Sequence, residues 1–148
     1  MNVSAPVTED FAAAWEAFSR AQRRARARVN TRLEGSVLTL AQFQLLEGLQ
    51  TESEMTVSEL AVSAGVAPPT ATRMLDALVK AGIAERHASP HDRRVVLVSL
   101  TPEGRASVQA AAERVERWRT ALRGRLTTEE QAQAAKLLRR LADVIEDL

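Results

Sequence analysis

The chain has 148 residues, 45% of them hydrophobic, with 20 Lys+Arg against 19 Asp+Glu and a net charge of +1. That length fits one domain with a core of its own, and the charge balance excludes a histone-like polycation and an acidic disordered tail. Cysteine is absent and the 2 histidines are His87 and His91, which rules out disulfides, thiolate chemistry and Cys-ligated zinc and leaves a histidine metal site poorly supplied.

Met1 to Thr8 lacks the basic and apolar regions of a signal peptide. Thr8-Glu9-Asp10 then reads as a helix start, and Phe11, Trp15, Phe18, Ala25, Val29 and Leu33 recur at helical spacing. This first helix, about 25 residues, spans some 38 Å at ~1.5 Å per residue. A helix that long on so small a chain cannot bury its whole apolar stripe alone, so a partner subunit is its expected cover. Charge also changes along the chain. Residues 1–35 hold six Arg against four acids, whereas residues 36–65 hold four acids and no Lys or Arg.

Thr39 with Gln42, Thr56 with Glu59 and Thr127 with Glu130 are capping boxes, each before an apolar periodic run. They place a second helix over about Leu40–Leu49, a third over Val57–Ala64 closed by Gly65, and a sixth from Thr128. Pro68-Pro69 opens a fourth helix that ends near Gly82. After Gly82 the period changes to two. Ile83–Arg86 and Val95–Leu100 read as the strands of a hairpin, with His87–Arg94 as its loop.

Thr101-Pro102-Glu103 opens the fifth helix, which carries Val108, Ala111, Val115, Trp118, Leu122 and Leu126 at alternating spacings of three and four, a coiled-coil-like seam. The sixth places Ala134, Leu137, Leu138, Leu141, Val144, Ile145 and Leu148 on one face. No apolar run approaches the roughly 18–20 residues of a membrane span, and the expected location is the cytoplasm. The predicted class is mainly α with a small β-hairpin wing, in the order ααααββαα.

Two short helices joined at a glycine and followed by a hairpin describe a winged helix-turn-helix. On the fourth helix, Ala71, Met74, Leu75, Leu78 and Val79 share one arc, and Pro69, Thr72, Arg73, Asp76 and Lys80 share the opposite one. A polar arc with Thr and Arg near the N-terminal end suits major-groove reading. It suits equally a core helix with a solvated face.

The hairpin separates these alternatives. Asp92-Arg93-Arg94, the β-branched run Val95-Val96-Leu97-Val98 and Leu100-Thr101-Pro102-Glu103-Gly104 together resemble the wing signature of the MarR family of bacterial transcriptional regulators. Thr72-Arg73-Met74-Leu75-Asp76 through Gly82 to Arg86 is similar to that family's recognition helix and first wing strand. The order of elements and the length match over nearly the whole chain.

The resemblance implies a single unit over 1–148. Residues 8–35 and 102–148 would form a helical dimerisation region and 36–101 a winged DNA-binding lobe. A homodimer would bind a pseudo-palindromic operator on double-stranded DNA, and the expected function is a ligand-responsive repressor. Arg94 is expected in the minor groove, with Asp92 holding it or a neighbour, and His91 and Arg93 as groove or phosphate contacts. Thr72 and Arg73 are expected at base edges or adjacent phosphates. Pro68, Pro69 and Thr70 would approach the backbone at the helix N-terminus, itself a phosphate site. Lys80 and Arg86 are either phosphate contacts or partners of Asp76 or Glu85.

Phe11, Trp15, Val115, Trp118, Leu122, Leu137, Leu141, Val144 and Ile145 are expected in the dimer interface. Trp15, Phe18, Arg23 and Arg26 are candidates for a small aromatic or anionic effector, although their spacing also fits interface packing and solvated charge. No cofactor or metal is expected. Without a Gly-rich phosphate cradle or an acid–base set, no enzyme site is expected either. The alternative is a winged-helix protein-interaction module without specific DNA binding.

Overall fold

The computed structural model describes residues 7–33 and 36–148, with the side chains of residues 7–9 and 31–33 left aside. The expected cap at Thr8 and the inward placing of Leu33 lie outside the described residues. The chain divides into two compact units, Met1–Ala112 and Glu113–Leu148.

In the first unit, α1 (Val7–Leu33) is followed by α2 (Leu40–Leu46), a 3₁₀ turn (Glu47–Gln50), β1 (Met55–Thr56), α3 (Val57–Ala64), α4 (Pro68–Lys80), β2 (Ala84–Ala88), β3 (Val96–Leu100) and the start of α5 (Pro102–Arg123). The second unit holds the rest of α5 and α6 (Thr128–Glu146). All three capping boxes form as expected, with the Thr39, Thr56 and Thr127 side chains each accepting the N3 amide. The Glu130 carboxylate accepts the backbone N–H and hydroxyl of Thr127, which holds it below the ordinary carboxylate range. This contribution to the α6 cap is present above the ordinary carboxylate titration and fades as pH falls through it.

The core of the first unit is aliphatic. Leu38, Leu45, Leu46, Leu49, Leu60, Leu75, Leu78, Val98 and Val108 are essentially fully buried, with Phe43, Ala71 and Ile83 beside them. Asn30 Oδ1 of α1 accepts the Leu40 amide at the start of α2, at 3.2 Å. Between α3 and α4 the chain turns at Gly65, whose φ of 64° closes α3, and the Val66 amide reaches back to the Ala61 carbonyl at 3.0 Å.

Four boundaries differ from expectation, the smallest being that β3 begins at Val96 and not at Val95. The second helix tightens after Leu46 into the 3₁₀ turn, which buries Leu49 while the Thr51 and Glu52 amides close on the Gly48 carbonyl. Ile83 does not begin a strand, because its amide donates to the Leu78 carbonyl and ends α4, with Gly82 at φ 72°. The ladder instead runs on through His87 and Ala88, which pair with Leu97 and Val96 and shorten the expected loop. The sheet also gains a third strand: β1 pairs with β3, giving the order β1-β3-β2. His87 Nε2 lies 2.9 Å from Glu54 Oε1 and links β2 to the turn before β1.

The wing, α4 and α5 meet at one crowded junction. Thr101 accepts the Gly104 amide at 3.0 Å, so it caps α5 as expected, and its hydroxyl donates to the Gly82 carbonyl at 2.6 Å. The Thr101 amide donates to the Ile83 carbonyl at 3.1 Å. A Cβ on Gly104 would run directly into that same carbonyl oxygen, which is backbone and cannot move aside cheaply. Gly104→Ala is therefore expected to destabilise the protein by about 2–3 kcal/mol, read as a lower urea midpoint. Gly124→Ala, where an added Cβ meets nothing closer than 3.4 Å, should stay within about 0.5 kcal/mol of the parent.

Candidate nucleic-acid interface

The exposed arc of α4 carries Pro69, Thr72, Arg73, Asp76 and Lys80, while Ala71, Leu75 and Leu78 are buried. The helix is thus anchored by one face and presents the other. The Thr72 hydroxyl donates to the Pro68 carbonyl at 3.0 Å. That bond occupies its proton and leaves the oxygen as acceptor and the methyl as an apolar contact.

The double proline changes what the N-terminus of α4 can offer. Pro68 and Pro69 have no N–H, and the Thr70 amide is taken by the Ala67 carbonyl at 2.9 Å. A helix N-terminus holds an anion through free amides pointing at it, added to its dipole. Here the dipole is present without those donors. The exposed proline rings, with a half-buried Thr70 behind them, are what this end presents.

The wing tip is organised by Asp92. Its Oδ1 accepts the Arg94 amide at 3.0 Å and lies 3.6 Å from Arg94 Nε, while its carbonyl accepts the Val95 amide at 3.0 Å. Ser89, buried at the base of the tip, donates its amide to the Val95 carbonyl at 2.8 Å, and its Oγ accepts the His91 amide. Asp92 thus orders the turn that carries Arg94, whose side chain is 94% exposed. His91 and Arg93 are exposed on the same tip.

Arg86 is engaged elsewhere. Its Nη1 donates to Asp76 Oδ1 at 2.6 Å and its Nη2 reaches the Thr72 carbonyl at 3.5 Å. Of the two partners open from sequence, Asp76 is the one it takes, and the Glu85 carboxylate accepts from the Ser99 hydroxyl at 3.3 Å. This tie between β2 and α4 had a sequence signal only as one of several candidate pairs.

The apolar candidates divide by unit. On α1, Phe11 stacks on Trp15 at 6.1 Å between ring centroids, and Trp15 meets Phe18 at 6.5 Å, all three exposed. In the second unit Val115 is buried and Trp118 and Leu141 are half-buried, while Leu122, Leu137, Val144 and Ile145 are exposed. Three of the four effector candidates line shallow grooves on α1. Trp15 and Arg23 line one shallow groove along α1, of about 350 Å³, with Glu16, Ser19 and Arg20. Arg26 lines another of about 300 Å³ with Ala27, Asn30, Leu40, Ala41 and Gln44, and Phe18 lines neither. Among the described residues no cluster of three or more His, Asp or Glu could hold a metal, and no helix is long and apolar enough to cross a membrane.

The MarR family model matches residues 38–96, the stretch from the start of α2 to the start of β3. The HTH-type transcriptional repressor MdtR of Bacillus subtilis is 35% identical over 118 residues, covering 77% of this chain and 74% of its own. The chain belongs to the MarR family.

Among solved structures, a mutant MarR from E. coli complexed with operator DNA superposes with a TM-score of 0.77 at 28% identity, covering 93% of this chain and 99% of that one. BpsR of Bordetella bronchiseptica, whose DNA binding is regulated by 6-hydroxynicotinic acid, gives 0.75 at 26% identity with 97% of each chain covered. This MarR-family chain is accordingly a DNA-binding transcriptional regulator rather than an enzyme. For Asp92→Ala, loss of the acceptor should speed hydrogen exchange at the Arg94 amide, while the melting midpoint stays within the range of a surface change, about 0.5 kcal/mol.

Proposed function

We propose that this protein is a homodimeric, ligand-responsive repressor that reads a pseudo-palindromic operator. The observation that carries the reading is the pairing of an exposed Thr72/Arg73 arc on α4 with a 94% exposed Arg94 on an Asp92-ordered tip. The arc enters the major groove, where Arg73 donates to guanine edges or phosphates and the Thr72 methyl meets thymine. Arg94 enters the minor groove, where a narrow A·T-rich segment concentrates negative potential. His91, Arg93, Lys80, Thr70 and the Pro68-Pro69 entry lie against the sugar-phosphate backbone.

Two uncovered helices support the dimer. On α6 no residue is buried, and Leu137, Leu138, Val144 and Ile145 are 50–56% exposed. On α1, Phe11, Trp15 and Phe18 are similarly open. Apolar stripes of this extent are normally covered, and a second copy supplies matching ones under two-fold symmetry. Residues 8–35 and 102–148 then form the dimerisation region and 36–101 the DNA-binding lobe, with half-sites about 34–36 Å apart. For the effector, the groove at Arg26 and Asn30 suits a small aromatic acid, a class that BpsR illustrates. Repression accords with the function of MdtR.

Fluorescence anisotropy on duplex from upstream of the protein's own gene, beside scrambled duplex, tests the reading. A preference of ~10³-fold or more is expected, and equal affinity for both would favour the protein-interaction module. Arg94→Ala should weaken the specific complex by about 1–3 kcal/mol with melting unchanged. Ile145→Asp should give a folded monomer on sizing chromatography, because the new charge is tolerated in water and excluded from an apolar seam; a persistent dimer would place the seam elsewhere.

A further inference from the structure

The polar arc of α4 contains a carboxylate, and a carboxylate facing DNA repels every phosphate near it. Asp76 is the single acid in Pro68–Lys80, and its side chain is 58% exposed. Its presence on a phosphate-facing surface needs a compensating cation, and the structure supplies one from a different element. Arg86 Nη1 donates to Asp76 Oδ1 at 2.6 Å, while Nη2 reaches the carbonyl of Thr72, one helical turn away.

The register of the sheet explains why this arginine reaches inward. Arg86 pairs with Val98, which is fully buried, and its neighbours in alternation, Ala84 and Leu100, are also buried. Arg86 therefore occupies a helix-facing position of edge strand β2, and its side chain is only 30% exposed. An arginine meant for a phosphate is better placed on an open tip, as Arg93 and Arg94 are. The planar fork of a guanidinium can also hold a carboxylate and a carbonyl together, which a lysine cannot reproduce.

We propose that Asp76 and Arg86 are a positioning pair for DNA recognition. Arg86 acts through Asp76 and Thr72, not through a phosphate. The pair cancels the carboxylate on the reading face and clamps the base of the wing hairpin to the middle of α4. Since the arc of α4 and Arg94 engage different grooves, the clamp sets how well both fit one site at once. Its effect falls on discrimination between sequences more than on total electrostatic attraction. The proposal rests on the reading of α4 and the wing as the DNA interface.

The test uses the full-length protein as wild type, Asp76→Asn, Arg86→Gln, Arg86→Lys and the Asp76→Asn/Arg86→Gln double variant. Each is titrated against the upstream and scrambled duplexes across a salt series, with urea midpoints measured in parallel. Each glutamine or asparagine single variant should lower the specific-to-scrambled ratio by about tenfold. The double variant should lose no more than the worse single, because one interaction is being removed twice. The log–log salt slope should stay within about half a unit of wild type, since no phosphate contact is lost. Arg86→Lys, which keeps the charge, should still lose part of the ratio.

The opposite pattern overturns the proposal. If Arg86 is a phosphate contact, Arg86→Gln weakens both duplexes alike and lowers the slope by about one, Arg86→Lys behaves as wild type, and Asp76→Asn tightens both. Losses in the ratio that merely track the urea midpoints would make the pair a stability element and overturn it too. A wild type without preference for the upstream duplex would instead fail the DNA reading, and the pair with it.

Discussion

Much of the winged lobe hangs on the approach of Gly104 to the carbonyl of Ile83. Four chain segments converge there: the C-terminal turn of α4 at Gly82, the entry to β2, the end of β3 and the first turn of α5. Thr101 is the hub, accepting the Gly104 amide and donating to the Gly82 carbonyl, while its own amide meets the Ile83 carbonyl. Buried backbone groups must find partners, and here the ends of a helix and a strand satisfy one another. The arrangement closes only when α5 comes so near that no Cβ fits at residue 104. A Leu-Thr-x-x-Gly sequence is thus a packing statement: Leu100 for the core, Thr101 for the bonds and Gly104 for the distance.

From that junction outward, the polar groups of the lobe are arranged by short ties, each fixing one element of the wing, the sheet edge or α4. Asp92 shapes the tip, Arg86 links β2 to α4, and Glu54 meets His87 at the sheet edge. These pairs lie at exposed or half-exposed positions, where single ion pairs add little stability, about 0–1 kcal/mol. Their consequence is geometric. Each acid holds a backbone or basic group in place, and at the tip the bond from Asp92 fixes the backbone from which the exposed Arg94 side chain extends. A net charge of +1 is consistent with a DNA-binding surface for this reason, since local placement and not the total determines the field at the groove.

Much of this was legible in the sequence because the signals were local. Thr39, Thr56 and Thr127 each announce a helix through a partner three residues on, and Gly65 announces its end; all four occur in the structure. The features that escaped depend on distant partners. β1 is two residues long, too short for a period, and exists because β3 offers it an edge. His87 and Ala88 look like loop beside Ser89-Pro90, yet Leu97 and Val96 draw them into the ladder. Arg86 had several charged neighbours in the sequence, and only the helix-facing register of β2 selects Asp76. Likewise, Trp15 and Arg23 open onto one groove of α1 and Arg26 onto another, because the second is completed by Leu40, Ala41 and Gln44, a neighbour the spacing along α1 does not reveal.

The winged lobe and the helices outside it differ in how completely they bury their apolar faces. The winged lobe buries its leucines almost fully within one chain, whereas α6 buries none of its residues and the aromatic cluster of α1 stands open. A lobe with a finished core can hold a reading surface in a fixed shape whether or not it is bound. Helices with unfinished faces gain stability from association, by an amount that grows with protein concentration. In the proposed homodimer the spacing between two rigid lobes is then set by the least self-sufficient part of the molecule. Under the proposed function, a small ligand near the Arg26 groove would need only to bias that spacing, leaving each wing and α4 intact, to separate the half-site fit of one lobe from that of the other.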